Sequence, residues 1–395
     1  MSLDNITKLK YIYFFKSLNF FAPILALFYL ARGLNTFQLL SLEVILTITL
    51  FIAEVPTGII ADKLKRKYSV SIVIALYIIG NIITIYAHNY YMFALVQVIF
   101  GLALAFGSGA IEALVYDSLK SANRQSQMNK EWGSINSMFL FAGVISALIG
   151  GYLTQNQTMD SFVFVFWLYT IGSIIALIIS FFIVEPKHYK ALEYESILKI
   201  FKDAVSTIRN NKSLRYIIYV SVLTVPFPHI IKLLFQPYFN LAGVPPIFFG
   251  IAVSIAMLIG AMLVKYAYKI EEKFGVKKTI LLMNIIPSFL YIGMSFIVKP
   301  IFAFAFYVLI FGIANMRNPI FSQYQNDHIE SKNRATVLSV ISMFHAIYFI
   351  ISQLIIGMIA NYDLLTSFLS MGIIILVTSI IFRIDERHLV KVNTK

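Results

Sequence analysis

Gly58-Ile59-Ile60-Ala61-Asp62-Lys63-Leu64-Lys65-Arg66-Lys67 carries five charges in its last six residues and stands between two apolar stretches, 37–60 and 69–87. A bilayer crossing takes about 20 apolar residues, so each neighbour is long enough to span. A cationic connector this short, between segments that long, reads as a loop joining two membrane helices. Working outward, the same alternation recurs along the chain. Apolar stretches fall near 11–30, 37–60, 69–87, 91–116, 134–154, 160–184, 216–239, 246–268, 279–298, 301–323, 336–360 and 362–382, which makes twelve. The chain has 395 residues, 59% of them hydrophobic and 13% charged. Soluble domains average about 25% charged residues, so the composition argues against an ordinary water-soluble enzyme. Strands of a membrane barrel would alternate over about ten residues; these stretches are apolar all round and predict helices.

Lys and Arg set the orientation. Of 32, 27 lie at the N-terminal tail, at every second loop or at the C-terminal tail. Basic loops stay on the cytoplasmic side, which places both termini in the cytoplasm. The formal charge of +13 is therefore segregated by the membrane, and nucleic acid is not an expected partner. The N-terminus lacks a short apolar region followed by a small-residue cleavage site, so the first apolar stretch is expected to remain. With no Cys, disulfides and thiolate-bound metal are excluded.

The longest hydrophilic stretch, about 185–215, divides the spans six and six and contains an amphipathic run, Ile197 to Ile208. Domains are expected at 1–187 and 215–395, joined by a cytoplasmic linker at 188–214. The halves echo each other at a shift of 210 residues: Asp62-Lys63-Leu64 falls on Glu272-Lys273-Phe274 and Lys67 on Lys277. The same shift lays Ser121-Ala122-Asn123-Arg124 on Ser331-Lys332-Asn333-Arg334. Parallel repeats of six helices are a transporter architecture, with the substrate site near mid-membrane at the repeat interface.

The Gly58–Lys67 loop resembles the signature of the major facilitator superfamily, approximately G-x-x-x-D-x-x-G-R-[RK]. Lys65 stands where that pattern has Gly, whereas the second-half echo keeps Gly275. Glu54-Val55-Pro56-Thr57-Gly58, the stretch Glu112 to Leu119 and Arg334 to Ser339 are similar to bacterial permeases of the efflux type. The drug-antiporter ending G-P-x-x-G-G survives here only as Gly150-Gly151. The resemblance implies two six-helix bundles and alternating access. It also implies a cytoplasmic gate drawing on Glu54, Gly58, Asp62, Arg66, Lys67, Asp117, Arg124, Glu272 and Arg334.

Charges within spans point to function, because each is costly in hydrocarbon, about 2.5–3.5 kcal/mol at a helix centre on insertion scales. The acidic ones are Glu43, Glu54 and Glu112; the basic ones are Lys16, Lys232 and Arg317. Glu112 and Glu54 lie near the cytoplasmic ends of their spans, where they either carry protons or pair with Arg66 or Arg124. Glu43 lies deeper. Lys16 either lines a cavity or snorkels to the headgroups. Lys232 follows Pro226-Phe227-Pro228-His229, where two prolines break the backbone ladder; it is a cavity residue or a counter-ion to Glu43. Arg317 precedes Asn318-Pro319 in another bent span, and His229 and His345 complete the titratable set.

No G-x-x-x-x-G-K-[ST], H-E-x-x-H or G-x-S-x-G occurs, so the chain is expected to be neither an ATPase nor a hydrolase, and to need no cofactor. The combined expectation is a monomeric, multi-pass protein of the inner (plasma) membrane that exports a small amphiphilic molecule against protons, with sodium the alternative ion. Aromatics at 15% suit such a substrate but equally suit lipid. Import of a sugar, amino acid or organic acid is the second reading. A lipid-handling or receptor-like protein is the third.

Overall fold

In the computed structural model, residues 4–186, 206, 208–209, 211–329 and 334–382 are described, without the side chains of 62, 63, 318, 319 and 335. The linker at 188–214, with its expected surface helix from Ile197 to Ile208, lies outside them except for 206, 208, 209 and 211–214. So do residues 331–333 of the second echo and the side chain of Asp62.

Every regular element among the described residues is helical. The first half contains α1 (Asn5–Lys16), α2 (Leu25–Ala31), α3 (Thr36–Lys63), α4 (Arg66–Tyr86), α5 (Tyr90–Gly107), α6 (Ala110–Ser121), α7 (Met128–Leu153) and α8 (Met159–Phe181). The second contains α9 (Lys212–Thr224), α10 (Phe227–Leu241), α11 (Ile247–Phe274) and α12 (Val276–Phe296). It ends with α13 (Pro300–Asp327), α14 (Arg334–Tyr362) and α15 (Leu364–Ile381). Several helix starts follow short polar side chains. Asn35 and Gln38 form a reciprocal capping box, and Asn89, Thr158, Asn211 and Asp363 each accept an amide three residues on. Such caps satisfy amides that have no intrahelical partner.

Eleven helical stretches among the described residues are long and apolar enough to cross a membrane. The stretch at 11–30, expected as a continuous span, instead forms α1 and α2 with an irregular segment at 17–24 between them. Pro23 lacks an amide, and the backbone there closes short bonds such as Asn19 N–H to the Ser17 carbonyl (2.8 Å) and Ile24 N–H to the Phe21 carbonyl (3.0 Å). The break is covered by α7: a Cβ added at Gly150 would lie 1.9 Å from the Phe20 carbonyl oxygen. Irregular backbone at membrane depth is tolerated where protein covers it. The expected break at Pro226-Phe227-Pro228 separates α9 from α10.

The chain groups into two compact units, Met1–Glu193 with Pro245–Ser254, and Tyr194–Val244 with Ile255–Lys395. In the first, α5 packs on α3 and α4, while α8 packs on α1 and α4. Close approach uses small residues, as membrane helices do: Gly101 meets Leu46 and Thr49, and Gly151 meets Gly250. In the second, α12 packs on α13 and α15, with Ser288 donating to the Gly372 carbonyl (2.9 Å).

Candidate functional site

The break in the first apolar stretch opens onto a cavity of about 270 Å³ inside the first unit. Lys16 and Glu43 both line it, with Ser17, Asn19, Tyr29, Asn81 and Gln97 as further polar members. Lys16 is the last residue of α1, where the helix dipole favours a cation, and its ammonium stands 4.1 Å from the centre of the Tyr13 ring. The Asn81 amide donates to the Phe166 carbonyl (2.9 Å), tying α4 to α8. The Gln97 amide reaches Tyr29 Oη at 3.4 Å. Phe21, Phe166 and Tyr169 form one aromatic wall, with Phe21 stacked on Phe166 at 4.8 Å. A cation, a carboxylate and stacked rings therefore share one pocket.

The second unit holds a smaller cavity, about 160 Å³, at the proline break. His229, Lys232 and Arg317 line it together with Asn315. Arg317 is buried at 2% exposure. Its guanidinium donates to the Thr224 carbonyl (3.2 Å) and to Thr224 Oγ1, and lies 5.7 Å from the Phe321 ring centre. His229 meets Phe349 edge-on at 5.6 Å.

At the end of the first unit that carries Arg66, charges are paired. Arg66 forms an ion pair with Asp117, joining α4 to α6. The Glu185 carboxylate accepts the backbone amides of Arg66 and Lys67, both at 3.0 Å, and so caps α4. Glu131 accepts from Lys10 (2.8 Å) and Arg124 (3.0 Å), while Arg124 also approaches Asp4 at 3.6 Å. In the second unit Glu271 accepts from Tyr324, the neighbouring Glu272 is exposed, and Arg334 reaches the Ile329 carbonyl at 3.4 Å.

The family model described as Major Facilitator Superfamily matches residues 11–314 and 230–395. The chain belongs to that superfamily. An MFS-type transporter of Bacillus subtilis (strain 168), YxaM, is 23% identical over 93% of this chain and 92% of its own length. The nucleoside transporter NupG has a similar structure, with a TM-score of 0.79 at 14% identity over 96% of this chain and 98% of that one. A bacterial homolog of the human lysosomal transporter Spinster follows at 0.71 and 14%, covering 98% and 97%.

For a facilitator-superfamily chain, the predicted residues divide into three groups. Lys16 and Glu43 share one cavity; His229, Lys232 and Arg317 share another. Arg66 pairs with Asp117, the Lys67 amide is held by Glu185 and Arg124 pairs with Glu131, while Gly58 is partly buried on α3. Glu54 is exposed and accepts from Ser108 (3.3 Å), and Glu112 is exposed; the ion pairs of Arg66 and Arg124 go to other acids. Those acids, Asp117 for Arg66 and Glu131 and Asp4 for Arg124, together with Glu185, make up the acidic side of the charged end. Glu131 sits in the first turn of α7 and Glu185 just beyond α8; an acid at a helix terminus beside a basic loop is the signal that points to both.

Proposed function

We propose that this protein is a secondary transporter that exports a small amphiphilic solute in exchange for protons by alternating access. The observation that carries the reading is the first-unit cavity, which puts Lys16 and Glu43 in one pocket of aromatic and amide side chains. A carboxylate in such surroundings is favoured neutral when desolvated and charged when a cation or water approaches; that alternation is what proton coupling requires. The Lys and Arg distribution supports cytoplasmic termini and a place in the inner membrane. In this reading α1 and α2 together make the twelfth crossing. The Arg66–Asp117 pair and the Asp62 loop belong to the cytoplasmic gate, with Glu54, Glu272 and Arg334 at its margins.

The test uses proteoliposomes and a panel of amphiphilic drugs, carboxylates, sugars and amino acids. At least one solute should accumulate when a pH step is imposed. Glu43→Gln, which fixes the neutral form, should abolish that response and keep substrate-driven counterflow. If no panel member moves in the wild type, transport of these classes is wrong. If Glu43→Gln retains full pH-driven accumulation, the coupling assignment is wrong.

A further inference from the structure

The charges of the two units are distributed unequally. The first has Glu43 in its cavity; the described acids of the second, Glu271, Glu272, Asp327 and Asp363, all stand at helix ends. Arg317 lies ten residues before Asp327 on α13, which at 1.5 Å per residue is roughly 15 Å along the helix. Its partners are a carbonyl and a hydroxyl, both of Thr224, and its Nε has no hydrogen-bond partner among the described residues. Tyr291 Oη, within electrostatic reach of Arg317, is likewise buried without one. Lys232 and His229 are exposed on the same cavity, and no acid is among its described lining residues. Three basic side chains thus converge on about 160 Å³, room for about five waters at liquid density. A buried cation without a counter-ion is costly in a membrane, and a guanidinium with free donors is shaped to take a carboxylate, sulfonate or phosphate through paired hydrogen bonds.

We infer that the cavity at Arg317, Lys232 and His229 binds the anionic group of a small organic solute. The inference rests on the transport reading above and gives its substrate a negative charge. Arg317 makes the directional contact, Lys232 adds a mobile point charge, and the apolar body lies against Phe311.

The test is equilibrium binding to the full-length protein in an uncharged detergent, with three probes that share one ring: benzoate, benzamide and benzylamine. Benzoate should bind saturably and at least tenfold more tightly than either of the others. Arg317→Gln should weaken benzoate at least tenfold, Arg317→Lys less, and Lys232→Gln about threefold. Should Arg317→Gln fail to fold, Lys232→Glu, at an exposed position, should abolish benzoate binding by itself. Equal affinity for benzamide, preference for benzylamine, no saturable binding of benzoate, or benzoate affinity unchanged by both Lys232 variants would each overturn the inference. Displacement of benzoate by dihexanoyl phosphatidylglycerol at equal or lower concentration would make the occupant a lipid headgroup and overturn the assignment to a solute. Binding is read without a gradient. Benzoate bound but never moved therefore removes the transport reading alone; pH-driven movement of neutral solutes without anion binding removes this inference alone.

Discussion

At Gly150 one hydrogen atom decides whether two elements can touch. A Cβ there would stand 1.9 Å from the Phe20 carbonyl oxygen, which is backbone and cannot swing away. Gly133, on the same helix, has nothing within 4 Å of an added Cβ. Gly150→Ala should therefore destabilise by about 3 kcal/mol or more, at the upper end of overpacking costs. Gly133→Ala should stabilise by about 0.5–1 kcal/mol through helix propensity. Thermal or denaturant unfolding in detergent reads both, and the same sign for the two would refute the packing described for α7. Glu131 offers a different residue-scale case. It is buried and holds two cations, Lys10 and Arg124. Its Gln variant keeps the volume and loses both charge-assisted bonds, so a loss of about 1–3 kcal/mol is expected, set against near neutrality for an exposed pair.

Elements in this chain end where backbone geometry requires it. Gly275, between α11 and α12, has φ 73° and ψ 156°, a region open to almost no residue but glycine. Lys65, its counterpart in the first half, is at φ −65° and ψ 137°, where any residue fits. That difference explains why the first loop departs from the family signature while the second retains its glycine. Gly275→Ala should cost about 1–3 kcal/mol, whereas Lys65→Gly should cost no more than about 1 kcal/mol; a comparable loss at both positions would count against the geometry. The start of α15 supplies a pH-dependent element. The side-chain hydroxyl and then the amide of Thr366 hold the Asp363 carboxyl below its ordinary range near 3.8. A depressed carboxyl contributes stability above its unfolded value and loses it as pH falls through the folded one. Asp363→Asn still caps but does not titrate. The midpoint gap between wild type and this variant should shrink between pH 6 and pH 3, and a gap independent of pH would refute the assignment.

Across the whole molecule, the alternation of basic loops makes a prediction about sidedness. Tyr362, 94% exposed at the end of α14, should lie outside the cell, and Lys120, near the end of α6, inside. The chain has no native Cys, so a single introduced thiol reports its own position. A membrane-impermeant maleimide should label Tyr362→Cys in intact cells and Lys120→Cys only after permeabilisation. The reverse pattern would invert the orientation.

Membrane helices, their approximate ends and the family were legible in the residues, because long apolar runs, caps and Pro or Gly breaks act locally. The break at Pro226–Pro228 was read from two prolines, whose backbone nitrogens carry no N–H. The break at 17–24 was not, although Pro23 lies within it, because one proline in an apolar run is compatible with a kinked but continuous helix; its stability depends on Gly150, well over a hundred residues later. The charged residues of the spans were also legible one by one, since each is conspicuous in an apolar run. Their grouping was not. That Lys16 shares a cavity with Glu43, that Arg66 takes Asp117, and that Arg317 has Thr224 for its acceptors are outcomes of helix packing, which brings together side chains far apart in the chain. Sequence by itself determined which segments are long and apolar enough to cross a membrane, through transfer free energy summed over contiguous residues. Only the tertiary structure decided which polar groups meet, because each such contact requires a particular helix rotation and depth.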